Sequence, residues 1–317
     1  MEKINQIIQV PDSCQGMRLD QVLADLLPEY SRTRLQNWNK SGYIKVDNNQ
    51  LSQREKLKGG EFIHINVNLI PEDNSSSRQE IPLEILYEDN DIIIINKPPG
   101  LVVHPGAGNP DNTLFNALLY HFPDLEIIPR AGIIQRLDKE TSGIMVITRS
   151  IKAHTLLVRE LQERNITREY QAIVHGTLTA GRTIEAPIGR HPLKRTRMAV
   201  VNSGKPAKTH VRILERFNDI THLLVKLDSG RTHQIRVHMA HIHNPVVGDP
   251  VYGGRGRRPK NISEETSNFI NNFPRQALHA WRLELTHPTN ENLMSWIAPL
   301  PDDMMSLLDL LKHEKQS

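Results

Sequence analysis

Two short stretches of this 317-residue chain gather most of the side chains able to do chemistry. The first is Gln135-Arg136-Leu137-Asp138-Lys139-Glu140-Thr141-Ser142-Gly143, set directly before the apolar run Ile144-Met145-Val146-Ile147. A polar loop that feeds a buried strand places its side chains at a sheet edge or cleft, on a rigid scaffold. Arg136 and Lys139 flank Asp138, and nearby cations favour the ionised carboxylate. Asp138 is therefore a candidate nucleophile or base at neutral pH. The plainer use of the same residues is a loop salt bridge or turn cap, and spacing alone leans that way.

The second stretch is Asp228-Ser229-Gly230-Arg231-Thr232-His233-Gln234-Ile235-Arg236-Val237-His238. A strand is predicted to end in the Ser-Gly turn and a helix to begin with Thr232 as its cap. Backbone N–H groups with Arg231, His233 and Arg236 could then face an anionic ligand such as phosphate. Ile235, Met239 and Ile242 share one helical face, and Arg236 beside that stripe suits a shielded guanidinium paired with a carboxylate. His233, His238, His241 and His243 lack His-Glu-x-x-His spacing, so no metal is expected and surface or RNA-facing roles are predicted for them.

Other chemistries lose their sequence support. No Walker A pattern, dinucleotide Gly-x-Gly-x-x-Gly or Gly-x-Ser-x-Gly elbow is present. Cys14 is the one cysteine, which removes intramolecular disulfides and thiolate zinc sites. The longest apolar run is about four residues against the roughly 20 a spanning helix needs. No secretory signal is evident at the N-terminus, so a cytoplasmic location is expected. With 39 Lys+Arg against 36 Asp+Glu the chain is nearly neutral. Yet cations bunch at Arg190, His191, Lys194, Arg195, Arg197, Lys205 and Lys208, and again at Arg255, Arg257, Arg258 and Lys260. A neutral chain with local cationic clusters suits a nucleic-acid backbone better than a small metabolite.

The elements that must position these residues fall into two units. A Ser-rich polar stretch makes residues 71–82 a linker between a small domain, 1–70, and a large one, 83–317. In the small domain Leu19, Val22, Leu23, Leu26 and Leu27 predict a helix ended by Pro28. Ser31 is placed to cap a second helix through Asn39, and two short strands follow, Tyr43 to Val46 and Phe62 to Val67. In the large domain strands are predicted at Leu83 to Tyr87, Ile92 to Asn96, Ile144 to Thr148, Tyr170 to Val174, Arg182 to Ile184, Thr209 to Leu214, Thr221 to Leu227, Ala277 to Leu285 and Leu293 to Ile297. Helices are predicted at Thr113 to His121, Ala153 to Leu161 and Pro301 to Lys312, and Arg255 to Asn272 reads as a long surface loop. Strands with few interleaved helices predict an α+β domain on a mostly antiparallel sheet.

Met17-Arg18-Leu19-Asp20, Ser31-Arg32-Thr33-Arg34 and Gly42-Tyr43-Ile44-Lys45-Val46-Asp47 resemble the RNA-binding module named after small-subunit ribosomal protein S-four. That resemblance makes Arg18, Arg32 and Arg34 RNA-binding candidates. In the large domain, Asn96-Lys97-Pro98-Pro99-Gly100-Leu101, Arg136 through Gly143, Arg168-Glu169-Tyr170, Gly230 through Arg236 and Gly248-Asp249-Pro250-Val251-Tyr252-Gly253 resemble, in order, the motifs of the RluA-type RNA pseudouridine synthases. The resemblance implies that Asp138 is the essential aspartate, that Tyr170 packs on the target base and that Arg236 partners the aspartate. It also implies that Arg136 helps displace the target nucleotide, while Arg231 and His233 keep their reading as phosphate-facing RNA contacts. Two residues depart from the family pattern. Gln135 stands where His is usual and Glu140 where Asp is commoner, and Gln cannot take on charge as His does.

Within that family the match points to enzymes of large-subunit (23S) ribosomal RNA. The implied reaction breaks the N1–C1′ bond of a flipped-out uridine and rejoins the base through C5. No redox change or phosphate transfer occurs, so neither cofactor nor metal is expected. The implied partner is large-subunit ribosomal RNA or a pre-ribosomal particle. An RNA-binding assembly factor without catalysis is the alternative; it would need the basic surfaces but not Asp138.

Overall fold

The computed structural model describes residues 3–27, 30, 32–68, 78–106, 108–194, 196–253, 259 and 262–316. Pro28, Ser31, most of the Ser-rich linker, Arg195, Arg255, Arg257, Arg258 and Lys260 lie outside the described residues.

The N-terminal unit contains β1 (Lys3–Gln9), α1 (Leu19–Leu26), α2 (Arg32–Lys40), β2 (Ile44–Val46) and β3 (Phe62–Asn68), with the strands in an antiparallel sheet of order β1-β3-β2. The α1 periodicity works as the sequence predicts: Leu19, Val22 and Leu23 turn inward onto Ile44, Ile63 and Ile65. Each such side chain contributes roughly 1.5–3 kcal/mol on burial. β1 is not among the predicted strands; its alternation of Ile with polar residues is broken by the Ile7-Ile8 pair, and Ile7 is left exposed. This small core also meets Ile127 and Ile151 of the larger unit.

The larger unit runs β4 (Glu84–Glu88), β5 (Ile92–Lys97), α3 (Leu114–His121), β6 (Ser142–Thr148), α4 (Ile151–Glu163), β7 (Thr167–His175), β8 (Arg182–Glu185), β9 (Ile188–Arg190), β10 (Met198–Val200), β11 (Lys208–Phe217), β12 (Ile220–Leu227), α5 (Gln234–His241), α6 (Glu264–Asn271), β13 (Leu278–Thr286), β14 (Leu293–Ile297) and α7 (Asp302–Gln316). Its main sheet follows the order β4-β5-β6-β13-β7-β12-β11-β8, with β14 also on β13. Every pairing in it is antiparallel except β6 with β13, so the expected α+β class with a mostly antiparallel sheet holds. The central strands are apolar on both faces: Ile92 to Ile95 and Met145 to Ile147 are fully buried.

Two details of this sheet bear on the site. β6 meets β13 only through Ser142 and Gly143, at His279 and Ala280. Gly143 has φ +117, and a Cβ there would lie 2.2 Å from the Ala280 carbonyl oxygen, so the close parallel splice requires glycine immediately after the Asp138 loop. On the far side of β13, Ala280 pairs with Tyr170, which pairs in turn with Val225. Buried Tyr170 therefore sits level with Gly143 across the sheet, at the end of the Asp138 loop.

The Arg255 to Asn272 expectation is corrected in its second half. Glu264–Asn271 is a helix, begun by Ser263 Oγ accepting from the Thr266 amide (3.2 Å) and anchored by buried Ile270. Its apolar face is narrow and its composition polar, which hid it. The closing helix forms as predicted, with Met304, Leu307, Leu308 and Leu311 buried.

Candidate active site

The loop carrying Asp138 is held from several directions. A turn closes on it through the Thr141 amide, which donates to the Asp138 carbonyl (3.0 Å). From below, Arg275 Nη1 donates to the Glu140 carbonyl (3.2 Å) and Gln276 Nε2 to Thr141 Oγ1 (3.1 Å), while the His279 ring bonds Ser142 Oγ (2.9 Å). Arg275 is itself fixed by Asp303 at the start of α7, through bonds of 2.6 and 2.7 Å.

From the other side comes Lys97, whose side chain is fully buried. Its Nζ donates to the carbonyls of Pro98 (2.6 Å), Leu101 (3.0 Å) and Lys139 (3.1 Å), tying the end of β5 to the Asp138 loop. Burial pulls its pKa down to about 7, against Glu140 and Asp138, which favour the charged form. Lys97→Met is expected to cost about 3 kcal/mol, read from urea denaturation, because the Pro98, Leu101 and Lys139 carbonyls lose their shared donor, the bond to Leu101 being fully buried. In the folded chain Lys97 releases its proton near pH 7, but only near its ordinary 10.5 once unfolded. Unfolding therefore takes up a proton between these values, and wild-type stability gains with rising pH there; methionine should remove that slope.

The second stretch supplies the partner of Asp138. After β12 the chain turns through Ser229 and Gly230, and buried Gln234 locks the turn. Its Oε1 accepts from Ser229 Oγ (2.9 Å) and the Arg231 amide (3.0 Å), while its Nε2 donates to the Lys208 carbonyl (2.9 Å). Helix α5 then starts with His233, not Thr232, as its cap residue, in a left-handed conformation (φ 56). Arg236, one turn in, is almost wholly buried. Its Nη1 donates to Asp138 Oδ2 at 2.9 Å, while Nε and Nη2 donate to Asp249 at 2.7 and 2.8 Å. Asp249 Oδ1 also accepts from the Val251 and Tyr252 amides (2.8 and 3.0 Å).

One guanidinium thus bridges two carboxylates. Burial would raise the Asp249 pKa, but the Arg236 bonds and the two amides outweigh it and hold the group below its usual value. Burial likewise opposes charge on Arg236, and its two aspartates overcome this and push its pKa up. Because Arg236 occupies Asp138 Oδ2, Asp138 Oδ1 is the oxygen left to face the cleft. His233 Nε2 lies 3.7 Å from that oxygen. Behind it, Tyr252 Oη accepts from the Met198 amide (2.9 Å) and sits 2.8 Å from His233 Nδ1. With the phenol proton donated to Nδ1, the imidazole carries its own proton on Nε2, toward Asp138. Burial keeps His233 neutral by lowering its pKa, with Asp138 pulling the other way.

These groups open on a cleft of about 1040 Å³. Tyr170 lines it with its ring largely buried, and burial raises the phenol pKa, so it stays protonated near neutrality. Its buried ring presents an apolar body to the cleft. Arg130, Arg136, Arg164, Arg168 and Arg231 line the same cleft against Asp138 and Asp228, which leaves it strongly cationic. Burial, with Arg130 and Arg136, pulls His104 in the wall down to about 4, so it is neutral.

Asp138, Tyr170, Arg236, Arg136, Arg231 and His233, assembled from three separate segments, therefore share one site. Arg236 faces carboxylates and is no phosphate ligand. Arg18, Arg32 and Arg34 do not line this cleft. Arg18 pairs with Asp20 (2.8 Å), Arg32 is exposed, and Arg34 lies against Trp38. The four histidines scatter. His238 is wholly buried between Thr209 Oγ1 and the Ala186 carbonyl, which corrects the surface role expected of it, while His241 and His243 are exposed. Asp249, Tyr252, Lys97 and Gln234 were not identified as site residues from sequence. Asp249 had two signals, its place in the Gly248 to Gly253 motif and its being the first carboxylate after the histidine-rich helix.

The profile of a family described as RNA pseudouridylate synthase matches residues 91–241. The chain is 52% identical over 316 residues to the ribosomal large subunit pseudouridine synthase D of Haemophilus influenzae, covering 99% of this chain and 97% of that one. It is 51% identical over 314 residues to the protein of that name from Escherichia coli K12, covering 99% and 96%. Among solved structures it resembles human RNA pseudouridylate synthase domain containing 1, with a TM-score of 0.56 and 25% identity over 75% of this chain and 97% of that one.

Proposed function

The chain belongs to the RNA pseudouridylate synthase family, and from that premise we propose that it converts specific uridines of large-subunit (23S) ribosomal RNA to pseudouridine with Asp138 as the essential group. The observation that carries this reading is the 2.9 Å bond from Arg236 to Asp138 Oδ2, which leaves the second oxygen facing a cationic cleft walled by Tyr170. A carboxylate taken partly out of water would be pushed toward its neutral form, and the adjoining guanidinium opposes that.

The reaction makes a consistent use of the pieces. A uridine stacked in folded RNA hides its glycosidic bond, so the nucleotide must leave the stack at a cost of a few kcal/mol, offset by contacts in the pocket. Arg136, exposed at the cleft, is suited to fill the space the nucleotide vacates. Tyr170 offers its ring face to the uracil, and Arg231 and His233 border the entry. Oδ1 of Asp138 then acts at the ribose, either by attack on C1′ or by removing a ribose proton. The N1–C1′ bond breaks, the uracil turns, C1′ bonds to C5, and the C5 proton is lost while N1 gains one. Atoms and electrons balance within the nucleoside, so the chemistry calls on no redox partner or phosphate donor, and no nucleotide cofactor or metal is part of the proposal.

Residues 1–70 are proposed as a separate RNA-holding unit, with Arg32 exposed on its second helix. Pre-ribosomal particles join free ribosomal RNA as candidate substrates, and the cytoplasm is the proposed location; among the described residues no helix is long and apolar enough to cross a membrane. A ribosome-assembly factor without catalysis would have no use for a buried guanidinium bridging two carboxylates.

The test is direct. Large-subunit ribosomal RNA transcribed with [5-³H]uridine should release tritium on incubation with purified protein and no added metal, at a small number of positions. Equal pseudouridine content in treated and untreated RNA, free or in particles, would overturn the reading.

A further inference from the structure

Arg168 stands apart from the other cations of the cleft. It lies on β7 two residues before Tyr170, so both side chains project from one strand face with Cα atoms roughly 6–7 Å apart. Its Nε is buried with no hydrogen-bond partner among the described residues. An arginine offers five N–H donors, and a buried donor left unmade costs on the order of 1–3 kcal/mol, so an orphan of this kind calls for an acceptor. The two acids bordering the cleft are committed elsewhere: Asp138 to Arg236, and Asp228 to His210 Nε2 (3.0 Å).

The opposite wall is shaped around this guanidinium. A Cβ on Gly230 would lie 3.0 Å from Arg168 Nη1, while the Gly230 backbone is not in the left-handed region that would itself demand glycine. The missing side chain leaves room for the arginine head at the rim of the cleft.

We propose that Arg168 binds a phosphodiester flanking the flipped uridine and sets the depth at which the nucleotide enters, an inference that rests on the reading of this cleft as a uridine-isomerising site. The ligand chemistry follows from geometry. With Tyr170 against the base and Asp138 at the ribose, the group one sugar's width from the base is phosphate. A planar guanidinium with unused donors matches its oxygens in a bidentate manner. Phosphate contacts of this type fix register and carry no base specificity.

The experiment uses an RNA fragment converted by the wild-type protein, made with a neutral methylphosphonate at the 5′ or the 3′ linkage of the target uridine, and reads single-turnover tritium release. Arg168→Gln is expected to lose roughly 10–100-fold on the all-phosphate RNA, with Arg168→Lys recovering part of the loss. At one of the two linkages methylphosphonate should slow the wild-type protein by a similar factor and the glutamine variant hardly further. Gly230→Ala, which crowds the guanidinium without removing it, should show a smaller loss that disappears on that same RNA. Losses that multiply at both linkages, or an Arg168→Gln protein as fast as wild type, would overturn the inference while leaving the proposed function standing. A wild-type protein that converts no RNA would overturn both.

Discussion

Asp138→Asn is expected to reduce uridine conversion by at least about 10⁴-fold, more than 5 kcal/mol of transition-state stabilisation, while RNA affinity stays within about threefold. The substitution keeps the shape of the side chain and changes two properties. It removes the negative charge that Oδ1 would bring to the ribose, and it replaces a carboxylate by an amide that cannot act as nucleophile or base. Neither change strips Arg236 of its second partner, because Asp249 continues to hold the guanidinium through Nε and Nη2. The fold should therefore lose little, about 1 kcal/mol or less, and thermal unfolding separates that loss from the catalytic one. RNA binding is carried by the arginines of the cleft, which remain, and removing a carboxylate from a cationic surface does not weaken phosphate attraction. Tritium release measured beside filter binding decides the matter. Conversion within tenfold of wild type would remove Asp138 from the chemistry.

The sequence made Asp138 and Arg236 readable to different degrees. Asp138 is conspicuous because a dense polar loop stands directly before the apolar run Ile144 to Ile147, and that contrast survives folding. Arg236 is conspicuous as a cation beside an apolar helical stripe, which implies shielding and hence a partner. That Asp138 should be this partner, 98 residues away, followed from family resemblance alone, because spacing between segments carries no distance until a sheet joins them. The joint is the short parallel contact of β6 with β13, and only Gly143 hints at it. The strands of the main sheet were legible where apolar runs or alternation were long. The β9 and β10 pair was not, since it is three residues a side in a polar, cationic stretch. That omission concealed Tyr252 too, whose hydroxyl is oriented by the Met198 amide of β10. Lys97 escaped for the opposite reason. A lysine ending a strand reads as a solvated charge, and its burial depends on three carbonyls from two loops.

Asp249 yields the second large effect, although it does not border the cleft. Its Oδ1 accepts three N–H donors, from Arg236 Nη2, Val251 and Tyr252, and its Oδ2 accepts a fourth from Arg236 Nε. In Asp249→Asn one oxygen can still serve the three, but the amide nitrogen then points its hydrogens at Arg236 Nε–H. Two donors face each other in a buried place, and the guanidinium keeps only Asp138 as a charged partner. Breaking a buried pair from one side typically costs about 3–5 kcal/mol, and the retained bond to Asp138 puts the expectation near the lower end. The catalytic loss should be of order 10²–10³ in single-turnover rate. Arg236, pulled fully onto Asp138 or turned away, no longer leaves Oδ1 in its orientation, and small misplacements of a reacting group cost factors of this size. RNA affinity should change little. The pH dependence supplies a further check. Because the folded pKa of Asp249 is held below its usual 3.8, its charged form contributes stability that is fully present above the unfolded value and is lost as pH falls through the folded one. The stability gap between wild type and Asp249→Asn should accordingly be widest at neutral pH and narrow in acid. A gap that stays constant from neutral pH to pH 3, or an Asn variant that isomerises uridine at the wild-type rate, would mean that Arg236 needs no second carboxylate to orient Asp138.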